Sequence, residues 1–229
     1  GANFMGQLAQ GLCPDLLTTI ATATPAPILL APAMHDEMWR RPSVARVVET
    51  LRGDGIDFIG PVAGDLADGS GQGRMVEPEE ILEAIDYTLS PKDLINQKII
   101  ISAGPTREPL DPVRYISNHS TGRMGFELAR AAASRGADVT LVAGPSALPT
   151  PLRVKRIDVL TAADMSDAVL EAFPGADCAI MAAAVADYTP ERVAPQKIKK
   201  APGPMVIPLK RTRDILHTLG KGRRPDQRL

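Results

Sequence analysis

The 229-residue chain carries little of what marks a stapled, metal-clustered or membrane-borne protein. Its two cysteines, Cys13 and Cys178, are too few and too far apart for a disulfide framework or a metal cluster. Each lies in an apolar segment and reads as a packing residue. No uninterrupted apolar run approaches a membrane span, and the stretch from Gly1 lacks the basic start and apolar core of a signal peptide. These absences predict a cytoplasmic protein with no membrane partner. What is present is 44% hydrophobic and 23% charged residues with 19 Gly and 21 Pro, which excludes a coiled coil, a collagen and a wholly disordered chain. The length allows one large or two small α/β domains with ample buried core.

Net charge is −1, but the signs are unevenly spread. Residues 190–229 hold 11 Lys/Arg against Glu191, Asp214 and Asp226, a net of +8, so the first 189 residues carry −9. A basic segment on an acidic protein suits a phosphorylated ligand, although solvated basic faces are common. Nucleic acid is not expected, because Tyr188 is the only aromatic residue among or beside those charges and stacking platforms are lacking.

Helical stretches around residues 4–12 and 14–23 precede a strand at Pro27–Ala31. The spacing of Val44, Val47, Val48 and Leu51 predicts a helix, stopped by Gly53-Asp-Gly55. Ile56–Ile59 reads as the next strand, Gly60–Gly73 as a glycine-rich loop, and Pro78 as the start of a helix ending near Leu89. The polar, pattern-poor run Ser90–Gln97 marks a domain boundary, giving domains over 1–92 and 97–229. From Lys98 the order repeats: strand Lys98–Ser102, loop 103–120, helix 121–135 ended by Gly136, strands at Val139–Val142 and 154–159, helix 162–173, and the continuous apolar strand Cys178–Ala182. Such a run suits a parallel sheet covered on both faces. The alternation predicts α/β architecture, two Rossmann-like parallel-sheet α/β/α domains, each apparently truncated.

Ligands of such sheets bind beyond the carboxyl ends of strands, which selects the loops 31–38, 60–75, 103–122 and 183–200. Ser102–Pro109 follows a strand and leads to Ser117–Gly125 at a helix start, a nucleotide-loop layout in which the first helix amides could hold a phosphate. The Gly-x-Gly-x-x-Gly fingerprint is absent, and simple helix capping by Ser120 or Thr121 stays open. Asp187 follows the small run Ala182–Ala186 and could bind a base or ribose, or cap a turn. Lys197 and Lys199 share a side if their segment is extended, where they could clamp a phosphate or stay solvated.

Three segments carry a specific resemblance: Ile101–Gly125, Ala183-Ala-Val-Ala-Asp-Tyr188 and Gln196-Lys-Ile-Lys-Lys200. They closely resemble the phosphopantothenate–cysteine ligase portion of the bifunctional coenzyme A biosynthesis flavoproteins. Pro32-Ala-Met-His-Asp-Glu-Met-Trp39 resembles the phosphopantothenoylcysteine decarboxylase portion of the same family. The resemblance implies an enzyme that activates the carboxylate of 4′-phosphopantothenate with CTP and Mg²⁺, through an acyl-cytidylate from which cysteine displaces CMP. It implies that Asn118 and Arg114 handle the acyl-cytidylate and substrate carboxylate, that Met181, Ala182, Ala183 and Asp187 line the cytidine, and that Lys197 closes over the nucleotide on a flap. Thr212, Arg213, Asp214 and Ile215 resemble a further nucleotide-contacting turn of the family. For Arg114, a loop salt bridge with Asp111 or Glu108 is the alternative.

The decarboxylase portion implies FMN, which oxidises the cysteinyl thiol before decarboxylation and reduction, at a site between subunits of a homo-oligomer. Asn3 matches a flavin-side segment, and Ala33, Met34 and Met38 belong to a substrate-clamp loop, although Met34 and Met38 also have the spacing of ordinary helix packing. Two positions depart from the family pattern: His35 stands where the usual motif has Asn, and Asp68 stands near where many members have a proton-donating Cys. These departures leave a non-catalytic flavin-fold binding or regulatory protein as the alternative function. A Rossmann-type oxidoreductase is disfavoured by the missing fingerprint. The motif order reads as an internal fragment of a longer protein, with residues 1–229 alone expected to be inactive.

Overall fold

A computed structural model describes residues 1–67, 69–200 and 202–229. It divides into two compact units, residues 1–90 and 91–229.

The first unit opens with helices α1 (Ala2–Ala9) and α2 (Leu16–Ala23), the latter capped by Asp15, whose side chain accepts from the Thr18 amide at 2.8 Å. Strand β1 (Leu29–Leu30), short helix α3 (Asp36–Trp39), helix α4 (Pro42–Gly53) and strand β2 (Asp57–Phe58) follow. Strands β1 and β2 pair in parallel. Val48 and Leu51 turn the predicted face of α4 inward onto Met5, with Met34, Trp39 and Phe58 packed around them.

The glycine-rich stretch departs from the sequence reading. It is an antiparallel hairpin of β3 (Val62–Leu66) and β4 (Gly69–Arg74), followed by helix α5 (Pro78–Leu89) with Pro at its first turn. The glycines let it press close to the loop before α3: a Cβ on Gly73 would stand 2.1 Å from the Met34 carbonyl oxygen. The Met34 amide donates to the Gly73 carbonyl at 3.0 Å, and the Gln72 amide donates to Asp36 Oδ1 at 3.0 Å. Cys13 is also corrected: it is exposed and packs in no core.

The second unit contains β5 (Lys98–Ala103), β6 (Arg107–Pro109), β7 (Tyr115–Ser117), α6 (Arg123–Ser134), β8 (Asp138–Ala143), β9 (Val154–Asp158), α7 (Ala162–Ala172), β10 (Cys178–Met181), β11 (Tyr188–Pro190), β12 (Leu209–Arg211) and α8 (Ile215–Gly222). Its main sheet is fully parallel, in the order β10-β5-β8-β9. Two short antiparallel pairs, β6–β7 and β11–β12, complete the unit; β6, β7 and β11 lie in stretches read as loops, and β12 in a stretch given no element. Residues alternate faces along β5: Ile99, Ile101 and Ala103 meet Phe126, Ala129 and Ala133 of α6, while Ile100 meets Met165 and Val169 of α7 and Leu219 of α8. Both faces are covered, which explains the unbroken apolar run. Gly125 brings α6 against the sheet, since a Cβ there would lie 2.5 Å from that of Ala103. Cys178 is half-buried against this core, and burial, with a smaller push from Asp177, raises its thiol above the ordinary range. No described helix is long and apolar enough to cross a membrane.

Candidate functional site

Counting the parallel strands of the second unit in chain order, the sheet runs 3-2-1-4. The switch point therefore lies between β5 and β10, the place where such sheets bind ligands. The loops leaving those two strands are stitched together by backbone bonds: the Ala184 amide donates to the Gly104 carbonyl at 2.9 Å, and the Thr106 amide to the Ala184 carbonyl at 3.3 Å. Buried hydroxyls complete the seam. Ser102 Oγ accepts from the Ala183 amide at 3.1 Å, and Thr106 Oγ1 accepts from the Ala186 amide at 3.0 Å. Neither Ser102 nor Thr106 has any solvent exposure, and Ala186 is buried as well, so the Thr106 hydroxyl satisfies a donor shielded from water.

Beyond the seam, the β12–α8 turn closes the far wall. The Thr212 amide donates to the Asp187 carbonyl at 2.9 Å, and Thr212 Oγ1 donates to the Ala186 carbonyl at 2.6 Å. Asp214 caps α8 by accepting from the His217 amide at 2.8 Å. Between the two walls lies a cavity of about 510 Å³, lined by Met181, Ala183, Asp187, Thr212, Arg213, Asp214 and Ile215 together with Val185, Ala186, Tyr188, Arg211 and Leu216. Seven residues that the sequence reading assigns to a nucleotide thus share one pocket, drawn from segments some thirty residues apart. Ala182 is half-buried between two lining residues and is not among the described lining itself. The pocket has mixed charge: Asp187 and Asp214 line it together with Arg211 and Arg213, and Arg213 reaches Asp167 at 3.7 Å.

Asn118 reaches the seam from the other side. Its Nδ2 donates to the Ala184 carbonyl at 3.0 Å and to that of Val185 at 3.3 Å, so the side chain ties its own loop to the pocket wall. Arg114 forms the salt bridge kept open above: Nη2 lies 2.7 Å from Asp111 Oδ2, and Nε lies 3.0 Å from the same oxygen. Asp111 is buried, which by itself would raise its pKa. Bonds from the Ile198 and Val113 amides and from Arg114 outweigh this and hold the carboxyl well below its ordinary range. Lys197 is exposed and is not among the described lining of the pocket. Sequence reasoning gave no role to Ser102, Thr106 and Arg211, and met Asp111 only as a salt-bridge partner for Arg114. The usable signal was the polar Ser102 closing the apolar run Ile99-Ile-Ile101 at a strand end.

In the first unit, His35 caps α3, its Nδ1 accepting from the Glu37 amide at 3.3 Å. Met34 packs on the core, whereas Ala33, His35 and Met38 are exposed. Asn3 is exposed on α1, and the start of that helix adjoins the loop before α3: a Cβ on Gly1 would lie 3.9 Å from the Ala33 carbonyl oxygen. Asp68 lies outside the described residues. Among the described residues no group of three or more His, Cys, Asp or Glu could hold a metal ion.

Residues 94–229 match the family described as "DNA/pantothenate metabolism flavoprotein C-terminal domain", and residues 1–90 match the flavoprotein family. The coenzyme A biosynthesis bifunctional protein CoaBC of Escherichia coli K12 is 50% identical over 201 residues, which are 87% of this chain and 50% of that protein. A cysteine/cysteine sulfinic acid decarboxylase from an unknown prokaryotic organism is 46% identical over 235 residues, covering 100% of this chain and 66% of that protein. Among solved structures, the C-terminal domain of a CoaBC protein superposes with a TM-score of 0.52 at 44% identity, over 59% of this chain and 63% of that one. The chain spans about half the length of the CoaBC relatives it matches.

Proposed function

Since the chain belongs to the DNA/pantothenate metabolism flavoprotein family, we propose that it forms part of a coenzyme A biosynthesis enzyme that ligates cysteine to 4′-phosphopantothenate with CTP and decarboxylates the product. One observation carries the ligase reading. Met181, Ala183, Asp187 and Thr212–Ile215, matched by motif to a cytidine nucleotide, line a single cavity at the switch point of a parallel sheet. Small side chains at Ala183 and Ala186 leave room for a flat base, and Asp187 and the Thr212–Ile215 turn supply polar groups around it.

In this reading the substrate carboxylate attacks the α-phosphorus of CTP and pyrophosphate leaves. The cysteine amine then attacks the acyl carbon and CMP leaves. Both steps build negative charge on oxygen, which fixed donors stabilise. Asn118, whose Nδ2 would leave the Ala184 and Val185 carbonyls to do so, is the donor at the acyl group, and Lys197 neutralises the phosphates. Mg²⁺ travels with the triphosphate.

For the decarboxylase half, the exposed Asn3 and the Ala33–Met34 loop, which adjoins the start of α1, are the residues that would hold FMN. When bound, the flavin supplies two-electron oxidation of the substrate thiol. His35, fixed by the cap of α3, donates through its imidazole to the substrate carboxylate, and the β3–β4 hairpin covers the loop that carries it. Association into a homo-oligomer and a cytoplasmic location complete the proposal. The relative named for cysteine and cysteine sulfinic acid suggests a second substrate class, but a nucleotide pocket in the second unit has no role in a plain amino-acid decarboxylation.

The test is the intact gene product supplied with CTP, Mg²⁺, 4′-phosphopantothenate and cysteine. Pyrophosphate and CMP are expected in equal amounts, followed by carbon dioxide when FMN is present. Carbon dioxide from cysteine or cysteine sulfinate alone, with no CTP consumed, would overturn it.

A further inference from the structure

The turn Leu110–Arg114 holds a distant piece of chain. Its Asx turn is closed by Asp111 Oδ1, which accepts from the Val113 and Arg114 amides, each at 2.8 Å. The other oxygen faces outward from the turn and accepts from the Ile198 amide at 3.1 Å, 87 residues along the chain. Arg114 Nη2 donates both to that oxygen at 2.7 Å and to the Ile198 carbonyl at 2.6 Å. Both backbone groups of Ile198 are therefore held by one ion pair. A third tie lies four residues upstream, where the Ala194 amide donates to the Leu110 carbonyl at 2.9 Å. Pro195, Gln196 and Lys197 thus form a three-residue strap with both ends fixed to the same turn.

We propose that Asp111 and Arg114 are positioning residues that set the place of Lys197 by gripping Ile198, and that Arg114 serves the nucleotide site through this strap. The role given to Lys197 rests on the ligase reading; the grip itself does not. Asp111 has a fully buried side chain and takes five donors, two from the Arg114 side chain and one from Ile198. Such a carboxylate has little reason to be buried beside an exposed basic run unless its bonds order that run. The planar fork of Arg114 meets a carboxylate oxygen and a carbonyl together, which an ammonium on a flexible stem would not do as well. Lys197, next to the gripped residue, keeps an exposed side chain on an ordered backbone. Lys199 and Lys200 extend beyond the grip.

Two readouts separate this from a loop staple without consequence. In the 229-residue protein, amide hydrogen exchange at Ile198 should quicken about tenfold or more in Asp111→Asn and in Arg114→Gln, because charge-assisted bonds are lost. Exchange at Ile101 in the core should not change, which controls for unfolding, and trypsin should then cut after Lys197 faster relative to Lys199. Arg114→Lys covers the case in which the other variants fail to fold, and should give an intermediate rate. Unchanged exchange at Ile198 would overturn the proposal.

In the intact gene product, Arg114→Gln should raise KM for CTP while adding little to the loss already caused by Lys197→Ala, since both act through one group. Independent, multiplying losses would show that Arg114 meets substrate directly and would overturn the positioning role. Faster exchange at Ile198 in a protein that never consumes CTP would uphold the grip and sink the ligase reading alone.

Discussion

Thr106→Val tests whether the seam between the β5 and β10 loops sustains the pocket. Valine keeps the shape of threonine and removes one acceptor. Thr106 has no solvent exposure and Ala186 is 7% exposed, so the Ala186 amide, 3.0 Å from Thr106 Oγ1, would lose its partner with little chance of finding water. Leaving such a group unpaired costs about 1–3 kcal/mol. The strain falls close to the ligand, because the Ala186 and Asp187 carbonyls are the acceptors that hold Thr212 at 2.6 and 2.9 Å. Amide exchange at Ala186 should therefore quicken by about 5- to 150-fold, with a fall in CTP affinity measured by calorimetry. Thr106→Ser is the control: it loses a methyl group, worth about 0.5–1.5 kcal/mol in a core, but keeps the acceptor and should protect Ala186 as the native residue does. Equal exchange at Ala186 in the two variants would refute the reasoning, since packing alone would then explain the effect.

Asn118→Ala should lower ligase turnover by about 10²–10³ in the intact gene product with the fold retained, as expected for loss of one donor to a developing oxyanion; near-normal pyrophosphate release would remove Asn118 from the site. Lys197→Ala should weaken CTP handling much more than Lys200→Ala, whereas similar losses that both vanish at high salt would mean the basic run acts only as a field. The depressed pKa of Asp111 means that its ionised form stabilises the folded protein at every pH above the ordinary carboxylate value of about 3.9, with the benefit lost as pH falls through its lower folded value. Urea midpoints of Asp111→Asn should accordingly lie below those of the native protein at pH 7 and pH 5, and the gap should narrow only under strong acid.

Helix α4 and strands β5 and β10 were legible because burial imposes a period on them. One face of α4 meets Met5, and both faces of β5 and β10 are covered, so apolar spacing reports their structure directly. The β3–β4 hairpin was not legible for the opposite reason. Gly69-Ser-Gly-Gln-Gly-Arg74 has neither β-branched residues nor alternation, and its pairing is supported from outside by Asp36 and the Met34 loop. Turn chemistry correctly described these residues one by one while missing the tertiary contacts that made them a strand. The three-residue strands β6, β7, β11 and β12 are too short to show any period.

The site divides along the same line. Met181, Ala183, Asp187 and Thr212–Ile215 could be named because a motif carries them, and the pocket then brings them together. Ser102 and Thr106 were quoted as part of a motif but had no stated work, and Asp111 entered only as a salt-bridge partner for Arg114, since their further partners are the amides of Ala183, Ala186 and Ile198, 80 or more residues downstream. No spacing rule relates positions so far apart. Strand order does: with β10 beside β5, the Ser102 and Thr106 hydroxyls at the carboxyl end of one meet the backbone leaving the other. In a sheet of this order, a hydroxyl at or just past the end of the first strand is therefore read against the loop after the fourth strand, while the Glu108 carboxylate further along turns instead to the Ala162 amide after the third. Applied to this chain, that rule pairs Ser102 and Thr106 with the segment 183–186 and leaves Asp111 to reach the strap beyond it.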